Sequence, residues 1–245
     1  MQHLCGRIAK HHLKSNYRTN DEELKSFLGG IRVGQPTKQA VADFFRGRLL
    51  GAPLFEAVRW SLHESVRRGY RLMWLCVTHK TVQAANAAAL QCFKEPITQS
   101  MLDAEGYPGD PGVASGNIIL RAGVQLRLSR NIDKPRGFVN GALASVRTVL
   151  SRCVAVVKLL SGKFCLLHPV SDGARSFLPC SYGYATTIRK SQGASLPGLV
   201  LYFDHCYPPE RGYGYVGASR GKTKAGLFHY GRIGNLSLVW PGTPP

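Results

Sequence analysis

Gly221, Lys222 and Thr223 are the residues whose types suggest phosphate chemistry, because a phosphate-binding loop ends in Gly-Lys-Thr and holds phosphates with backbone N–H groups. The spacing does not fit such a loop, which needs a glycine five positions before Gly221, where Val216 stands. The sequence has no other Gly-Lys-Ser/Thr, nor an apolar strand ending in paired acids for Mg²⁺. We therefore expect the chain alone to bind neither ATP nor Mg²⁺ and to hold no metal.

The charge balance points to the kind of partner. The chain has 32 Lys and Arg residues against 14 Asp and Glu, a formal net charge of +18. The basic residues are spread from Arg7 to Arg232, which favours a charged groove on a folded surface over a disordered arm. This excess predicts a polyanionic partner, and a merely solvated basic surface is the alternative.

The cysteines and apolar runs indicate the compartment. Seven cysteines without a C-x-x-C pair predict buried free thiols in a reducing environment. No apolar run approaches the roughly 18 residues that cross a bilayer, so we expect no membrane partner. We expect an intracellular protein, in the nucleus or mitochondrion of a eukaryote or the cytoplasm of a bacterium. The basic, acid-free residues 1–18 leave a mitochondrial presequence as an alternative.

Helical periodicity appears twice in the first third of the chain. Thr37 can cap a helix whose apolar residues recur at helical spacing up to Gly51. A second helix is expected from Leu54 to Arg68, ending at Gly69. These elements precede the first predicted strand.

Strands and helices alternate on both sides of a β-rich middle. The apolar run Arg71–Thr78, followed by a helix over 82–93, is typical of a parallel sheet covered by helices. Further strands are expected at Leu199–Phe203 and Leu227–Tyr230, and residues 105–116 read as a loop. Short β-rich runs from Asn117 to Leu178 predict a small antiparallel barrel.

The predicted fold class is therefore α/β, a parallel-sheet domain interrupted by a small antiparallel β-barrel insertion. The first part of the α/β domain would span residues 1–116, the insertion 117–180 and the rest of the domain 181–240. Residues 241–245 are expected to be disordered.

The segment Tyr184–Leu196, YATTIRKSQGASL, carries the strongest motif. It resembles the sequence YA-T-x-HK-SQG-x-T of RecD-related and Pif-type superfamily 1 helicases, with a polar turn before a helix as the alternative. Arg189 replaces the usual His, Ala194 a small polar residue and Ser195 the usual Thr. The matching residues are Thr187, Lys190, Ser191, Gln192 and Gly193.

Two further segments resemble the arginine-bearing motifs of the same family. The sequence YVGASR, at 215–220, is similar to YVALSR, whose arginine reaches the γ-phosphate held by another domain. Arg220 is thus implied as an arginine finger, a planar and permanently charged donor, with a surface arginine in a turn as the alternative. In LKSNYRTND, at 13–21, the resemblance implies that Arg18 is a second γ-phosphate contact.

The resemblance extends from about Leu13 to Tyr230. In LCVTHKTVQAANAAAL, Thr78, Val82 and Asn86 match a strand-loop-helix segment of the family. Between 123 and 146, Asn131 and Asp133 match before an Asn140-Gly141 pair, and Asn-Gly suits a turn between antiparallel strands.

The resemblance implies the C-terminal motor half of an ATP-dependent 5′–3′-type DNA helicase: a second RecA-like domain with an SH3-like insertion. Its partners would be single-stranded DNA, with RNA as an open alternative, and a first RecA-like domain that supplies the ATP and Mg²⁺ site. Arg18, Arg220, Gln192 and Gly193 would face the nucleotide. The nucleic acid would contact Thr78, His79, Thr187, Arg189, Lys190, Ser191 and Ser195.

Two other interpretations stay open at this level. One is a basic nucleic-acid-binding module that derives from a helicase and is no longer part of a motor. The other is a fragment produced by a truncated gene model. In each case we expect no ATP hydrolysis by the chain alone.

Overall fold

The computed structural model describes residues 19–33, 36–113, 115–173, 175–203 and 212–231. The predictions for Arg18 and for the tail 241–245 lie outside these ranges. In the part of the chain that is described, no helix has the length and apolar character needed to cross a membrane.

A five-stranded parallel sheet forms the centre of the α/β part, in the order β1-β14-β13-β2-β12. Its inner strand β2 is buried at every position, as expected for a parallel sheet covered on both faces. The strands are β1 (Leu49–Leu50), β2 (Leu72–Cys76), β12 (Ala185–Thr187), β13 (Gly198–Tyr202) and β14 (Leu227–Tyr230).

Among the described residues, six α-helices accompany the sheets: α1 (Glu22–Val33), α2 (Lys38–Phe44), α3 (Leu54–Arg68), α4 (His79–Gln91), α5 (Gln99–Glu105) and α6 (Tyr213–Ala218). The predicted bounds of α3 are confirmed, and Gly69 ends this helix in the left-handed conformation that glycine adopts without strain. Thr37 caps α2 as expected by accepting a hydrogen bond from the backbone N of Ala40, 3.1 Å away.

The prediction that the helix after Thr37 continues to Gly51 is wrong. Helix α2 ends at Phe44, and Gly47 turns the chain with a φ of 73° toward β1. The Arg48 guanidinium donates to the carbonyls of Phe44, Lys224 and Leu227 and so ties this turn to the start of β14. Pairing at the sheet edge therefore prevails over the helical periodicity of Leu49.

Alternate residues of β2 contribute to two cores, because successive side chains of a strand point to opposite faces. Trp74 and Cys76 pack into a large core shared with α3, α4 and the antiparallel strands. Met73 and Leu75 pack into a second core with residues of α1 and α2, including Leu24 and Val41.

The middle of the chain forms an antiparallel sheet in the order β11-β5-β6-β7-β8. The antiparallel strands are confirmed, whereas closure into an SH3-like barrel stays a prediction. Two short two-stranded sheets flank it. The strands are β3 (Tyr107–Pro108), β4 (Asn117–Ile118), β5 (Gln125–Leu128), β6 (Leu143–Ser151), β7 (Val154–Leu159), β8 (Phe164–Leu167), β9 (Val170–Asp172), β10 (Arg175–Phe177) and β11 (Cys180–Tyr182).

Two local predictions need correction in this region. The expected loop at 105–116 contains β3 and a short 3-10 helix, Pro111–Val113, because β3 pairs with β4. Asn140-Gly141 is not a two-residue hairpin turn: it closes a longer connection between β5 and β6. Its conformation is fixed by the Asn131 side chain, which accepts from the backbone N of Asn140, and by the bond from Gly141 N to Leu128 O.

Candidate nucleic-acid interface

The carboxyl ends of β2 and β12 place two predicted contact segments side by side. The two strands are paired in parallel, with Cys76 opposite Thr187. The residues that follow them, Thr78 and Lys190, therefore leave the sheet at the same edge. Carboxyl edges of open α/β sheets are where ligands of such folds bind.

Asn86 holds these two segments together. Its Oδ1 accepts hydrogen bonds from the backbone N of Tyr184, at 3.2 Å, and of Ala185, at 3.0 Å. The amide is almost fully buried, so both bonds form in a low-dielectric environment. A side chain of α4 thus fixes the start of β12, which explains the need for an asparagine at this position of the motif.

The hydroxyls of Thr78 and Thr187 cap the turns at this edge. Thr78 caps the start of α4, because its Oγ1 accepts a hydrogen bond from Thr81 N. Thr187 Oγ1 accepts a hydrogen bond from Lys190 N at 3.3 Å. Thr187 is buried, so its first role is to shape the 3-10 turn Arg189–Ser191. Both residues position the exposed side chains next to them, His79 and Lys190.

A cleft of about 1130 Å³ opens between this edge, the loop that follows α5 and the antiparallel sheet. Of the predicted contacts, His79, Thr187 and Lys190 line it. Basic and amide groups that are not among the predicted nucleic-acid contacts face them from the antiparallel sheet and its loops: Arg127, Arg130 and Asn140. The alternation of the GVQLRL run could have placed Arg127 on the polar face of β5, but its neighbours could not be read from the sequence.

Arg127 and Lys190 are the two cations that meet across the cleft. Arg127 Nη2 donates to the Lys190 carbonyl oxygen at 2.9 Å and so fixes the turn to β5. Burial, and then the nearby Arg127 charge, lower the pKa of Lys190. Burial also lowers the pKa of Arg127. An anion bound between the two groups would favour the charged form of both side chains and so oppose these pKa shifts.

Asp110, the acid in the cleft wall, is already engaged. Its carboxylate accepts from Ser129 Oγ at 2.6 Å, Arg130 Nε at 2.9 Å and Gly112 N at 2.8 Å. Burial opposes its ionisation, but these hydrogen bonds lower its pKa overall. Because the charge is satisfied internally, it opposes an anionic ligand less than a free carboxylate would.

The remaining residues of the Tyr184–Leu196 segment are dispersed. Ser191 is 1% exposed and its hydroxyl donates to Ile188 O, so it acts within the turn. Gln192 and Gly193 are exposed beyond the turn, with Gly193 at a φ of 86°. Ser195 lines a different cleft, at the amino edge of the sheet. The structure therefore brings together only part of the predicted strand-contacting set.

Arg189 links the turn to the helix that precedes Arg220. Its Nε donates to the Tyr213 hydroxyl, and its guanidinium lies 5.7 Å from the centre of the Tyr213 ring. Tyr213 is the first residue of α6. Arg189 thus contacts α6 in the structure, whereas the motif analysis assigned it to the nucleic acid.

Arg220 follows α6 and is 8% exposed. Its Nε donates to Val216 O at 3.0 Å, and its Nη2 donates to Ser219 Oγ at 2.8 Å. These bonds hold the guanidinium against its own helix. To reach a phosphate across a domain cleft, the side chain would have to exchange them for ligand contacts.

The Gly221-Lys222-Thr223 segment has the opposite order of elements from a phosphate-binding loop. It follows α6 and leads through a 3-10 helix into β14, whereas a phosphate-binding loop runs from a strand into a helix. Thr223 Oγ1 accepts from Gly226 N at 3.2 Å, and the Lys222 carbonyl accepts from Thr19 Oγ1. Among the residues described, no group of three His, Cys, Asp or Glu side chains could hold a metal.

Comparison with known proteins yields relatives of one kind. No protein-family model matches the sequence. The ATP-dependent DNA helicase PIF1 of Xenopus laevis is 26% identical over 230 residues, 86% of this chain and 33% of the relative. The helicase of the same name from Danio rerio is 25% identical over 232 residues, again 86% of this chain and 33% of the relative. The chain spans about a third of the length of these curated relatives.

Solved structures agree on the fold. The Pif1 helicase from Candida albicans matches with a TM-score of 0.64 at 21% identity, over 93% of this chain and 57% of that one. The Pif1 helicase from Bacteroides described in complex with ADP-AlF3 and ssDNA matches with a TM-score of 0.63 at 20% identity, over 94% and 53%. The predicted RecA-like α/β fold class is thereby confirmed.

Proposed function

We propose that this chain, which is homologous to part of the Pif1-type superfamily 1 helicases, is the second motor domain of a 5′–3′-type DNA helicase. It binds single-stranded DNA in the cleft at the carboxyl edge of its parallel sheet. The observation that carries the proposal is the convergence of Arg127, Arg130, Lys190 and His79 on that cleft in a chain of net charge +18.

The chemistry of the cleft suits the sugar-phosphate backbone. Lys190 and the arginines donate to phosphate oxygens without reading base identity, and Asn140 adds an amide. A large part of the affinity then comes from counterion release, which makes binding strongly dependent on salt. One matched solved structure is described as a complex with ssDNA, which supports this class of partner.

The nucleotide side of the motor requires a second domain. Arg220, with Arg18, would stabilise charge on the transferring phosphoryl group, and Gln192 and Gly193 would lie near the nucleotide. ATP and Mg²⁺ would be held by a first RecA-like domain. This chain would contribute donors to the shared site and move with the strand as the two domains close and open.

A second candidate function is a helicase-derived binding module without a motor role. The observation that favours it is the engagement of Arg220 with Val216 O and Ser219 Oγ, which withholds the guanidinium from a phosphate. Both functions share the nucleic-acid cleft. They differ only in whether Arg220 acts on ATP.

Strand binding is tested by fluorescence anisotropy with a labelled oligo-dT and the purified chain across a salt series. We expect Lys190→Ala to weaken binding several-fold and to reduce the slope of log affinity against log salt by about 0.7, the value for one phosphate contact on a single strand. The control is Lys38→Ala, which removes an exposed lysine outside the cleft. Equal losses in the two variants would refute the cleft as the binding site.

The motor role is tested by mixing the chain with a first RecA-like domain of a matched relative and measuring strand-stimulated ATP turnover. If the chain is a motor half, Arg220→Ala cuts turnover strongly and leaves strand affinity unchanged. Absence of turnover with the wild-type pair, alongside intact strand binding, selects the binding module. ATP turnover by this chain alone contradicts both.

A further inference from the structure

A second cleft, of about 850 Å³, lies where β2, β12 and β13 begin, at the opposite edge of the parallel sheet. Its walls come from the ends of α3 and α4, from β5 and β6, and from the residues before β13. Two apolar side chains that line it are unusually exposed, Val66 at 84% and Leu160 at 71%. Its volume is in the range of small-ligand sites.

Arg71 is the one charged residue among the described residues that line this cleft. Its Nη1 is completely buried and makes no hydrogen bond in the described structure. Buried guanidinium groups are normally paired with a carboxylate or several acceptors, because an unpaired charge in an apolar wall is costly. Burial accordingly lowers the pKa of Arg71.

The nearest acid in sequence is used elsewhere. Glu64, on the same stretch of α3 as the lining residues Leu62 and Ser65, accepts hydrogen bonds from Arg67 and Arg68. Its carboxylate is therefore committed to two other guanidinium groups. Among the described residues no carboxylate pairs with Arg71, and Arg71 lines the cleft.

A neutral donor lies in the same cleft. The Tyr184 hydroxyl accepts from Gln125 N at 3.1 Å, which leaves its own hydrogen to donate. Burial raises the pKa of Tyr184 to about 12, so the phenol keeps this proton at neutral pH. Arg71 and Tyr184 together can serve the two oxygens of one carboxylate.

The cleft differs from what a nucleic acid strand requires. A phosphate backbone is bound by several cations along a groove, as in the first cleft, whereas here a single cation stands among apolar side chains. One charge and a largely apolar surface suit a ligand with one anionic group on an apolar body.

We propose that the second cleft is a binding site for an apolar monocarboxylate, whose carboxylate pairs with Arg71 and whose apolar body packs against Val66 and Leu160. The ligand is either a free amphipathic acid or the terminal carboxylate of a peptide ending in apolar residues. This site is separate from the proposed strand interface.

Isothermal titration calorimetry with octanoate, octylammonium and acetate tests the site on the whole chain. We expect octanoate to bind best, because only octanoate has both the charge and the apolar body. Arg71→Met weakens octanoate binding about tenfold to a hundredfold, the range for a charge-assisted hydrogen bond. Arg147→Met, at an exposed arginine of β6 outside both clefts, leaves it within about twofold.

A second variant and a peptide pair keep the test decisive. Leu160→Ser, at a side chain exposed enough to be replaced without unfolding, should weaken octanoate but not acetate. The peptide Ac-Leu-Leu with a free carboxylate is compared with its amide. If only the free peptide binds, and its binding depends on Arg71, the natural ligand is the carboxyl end of a peptide. If only octanoate binds, the natural ligand is a free acid.

Four outcomes overturn the proposal. Octylammonium binding as tightly as octanoate would show that the site does not distinguish an anion from a cation. Unchanged octanoate binding by Arg71→Met would show that Arg71 does not pair with the carboxylate. Failure of both octanoate and the free peptide to bind would remove the site. If oligo-dT displaces octanoate and this displacement depends on Arg71, Arg71 binds nucleic acid instead.

Discussion

The two clefts lie at opposite edges of the same parallel sheet and differ sharply in charge. The carboxyl-edge cleft gathers His79, Arg127, Arg130 and Lys190, whereas Arg71 is the one charged residue among the described residues of the amino-edge cleft. At the carboxyl edge, strands lead into capped turns that expose the side chains of His79 and Lys190. At the amino edge, helix ends and apolar residues meet. Strand direction therefore separates the proposed nucleic-acid surface from the proposed monocarboxylate site.

The largest expected effect comes from Asn86, which lines the first cleft and anchors β12. Asn86→Ala would leave the backbone N–H groups of Tyr184 and Ala185 buried without their acceptor and lower the free energy of unfolding by about 3 kcal/mol. Urea denaturation measures this loss. Gln91→Ala, at an exposed position of the same helix, serves as the control and should change stability little.

The next effect distinguishes the clefts by charge. Lys190→Glu should weaken oligo-dT binding by about tenfold at low salt, because it places a carboxylate opposite the strand phosphates. Arg71→Met should leave the same affinity within about twofold. Anisotropy titrations of the two variants in parallel check this, and a larger loss from Arg71→Met would remove the distinction between the clefts.

Arg71→Met should also stabilise the unliganded fold, by about 1 kcal/mol, because it replaces an unpaired buried charge with an apolar side chain of similar length. An arginine side chain stays charged near neutral pH, so the gain should not depend on pH there. Thermal and urea unfolding measure it. A destabilised variant would indicate that the protein itself satisfies the guanidinium.

The smallest effect concerns Glu64, the acid nearest to Arg71 in the sequence. Hydrogen bonds from Arg67 and Arg68 lower the pKa of Glu64 from 4.5 to about 2. A depressed carboxyl pKa stabilises the fold above the unfolded-state value and loses that contribution as the pH falls from about 4.5 toward 2. Glu64→Gln should therefore lower the free energy of unfolding by up to about 1 kcal/mol at neutral pH and leave it unchanged near pH 2. The loss at neutral pH is small because the exposed Arg67 side chain is screened by solvent. A constant difference across pH would contradict the pairing.

The sequence by itself determined the elements whose signals are local. Helix α3, from Leu54 to the left-handed Gly69, and the Thr37 cap follow from short-range periodicity and from side-chain hydrogen bonds to the neighbouring backbone. The sequence also predicts strands at the positions of β2, β13 and β14, and for β2 the signal is a continuous apolar run, typical of a strand covered on both faces. Ordered motifs indicated the family, and the spacing of Gly221-Lys222-Thr223 argued against a phosphate-binding loop.

Only the tertiary structure decided which polar residues meet. Arg127 reaches Lys190 across 63 positions of sequence, and Asn86 reaches Tyr184 across 98. Ser191 and Arg220 share motifs with exposed residues, yet burial turns their side chains toward Ile188 and Val216. The unpaired Nη1 of Arg71 is likewise invisible in the sequence. Local patterns specify the type of element, but the pairing of groups far apart in sequence depends on strand order and on the burial that folding creates.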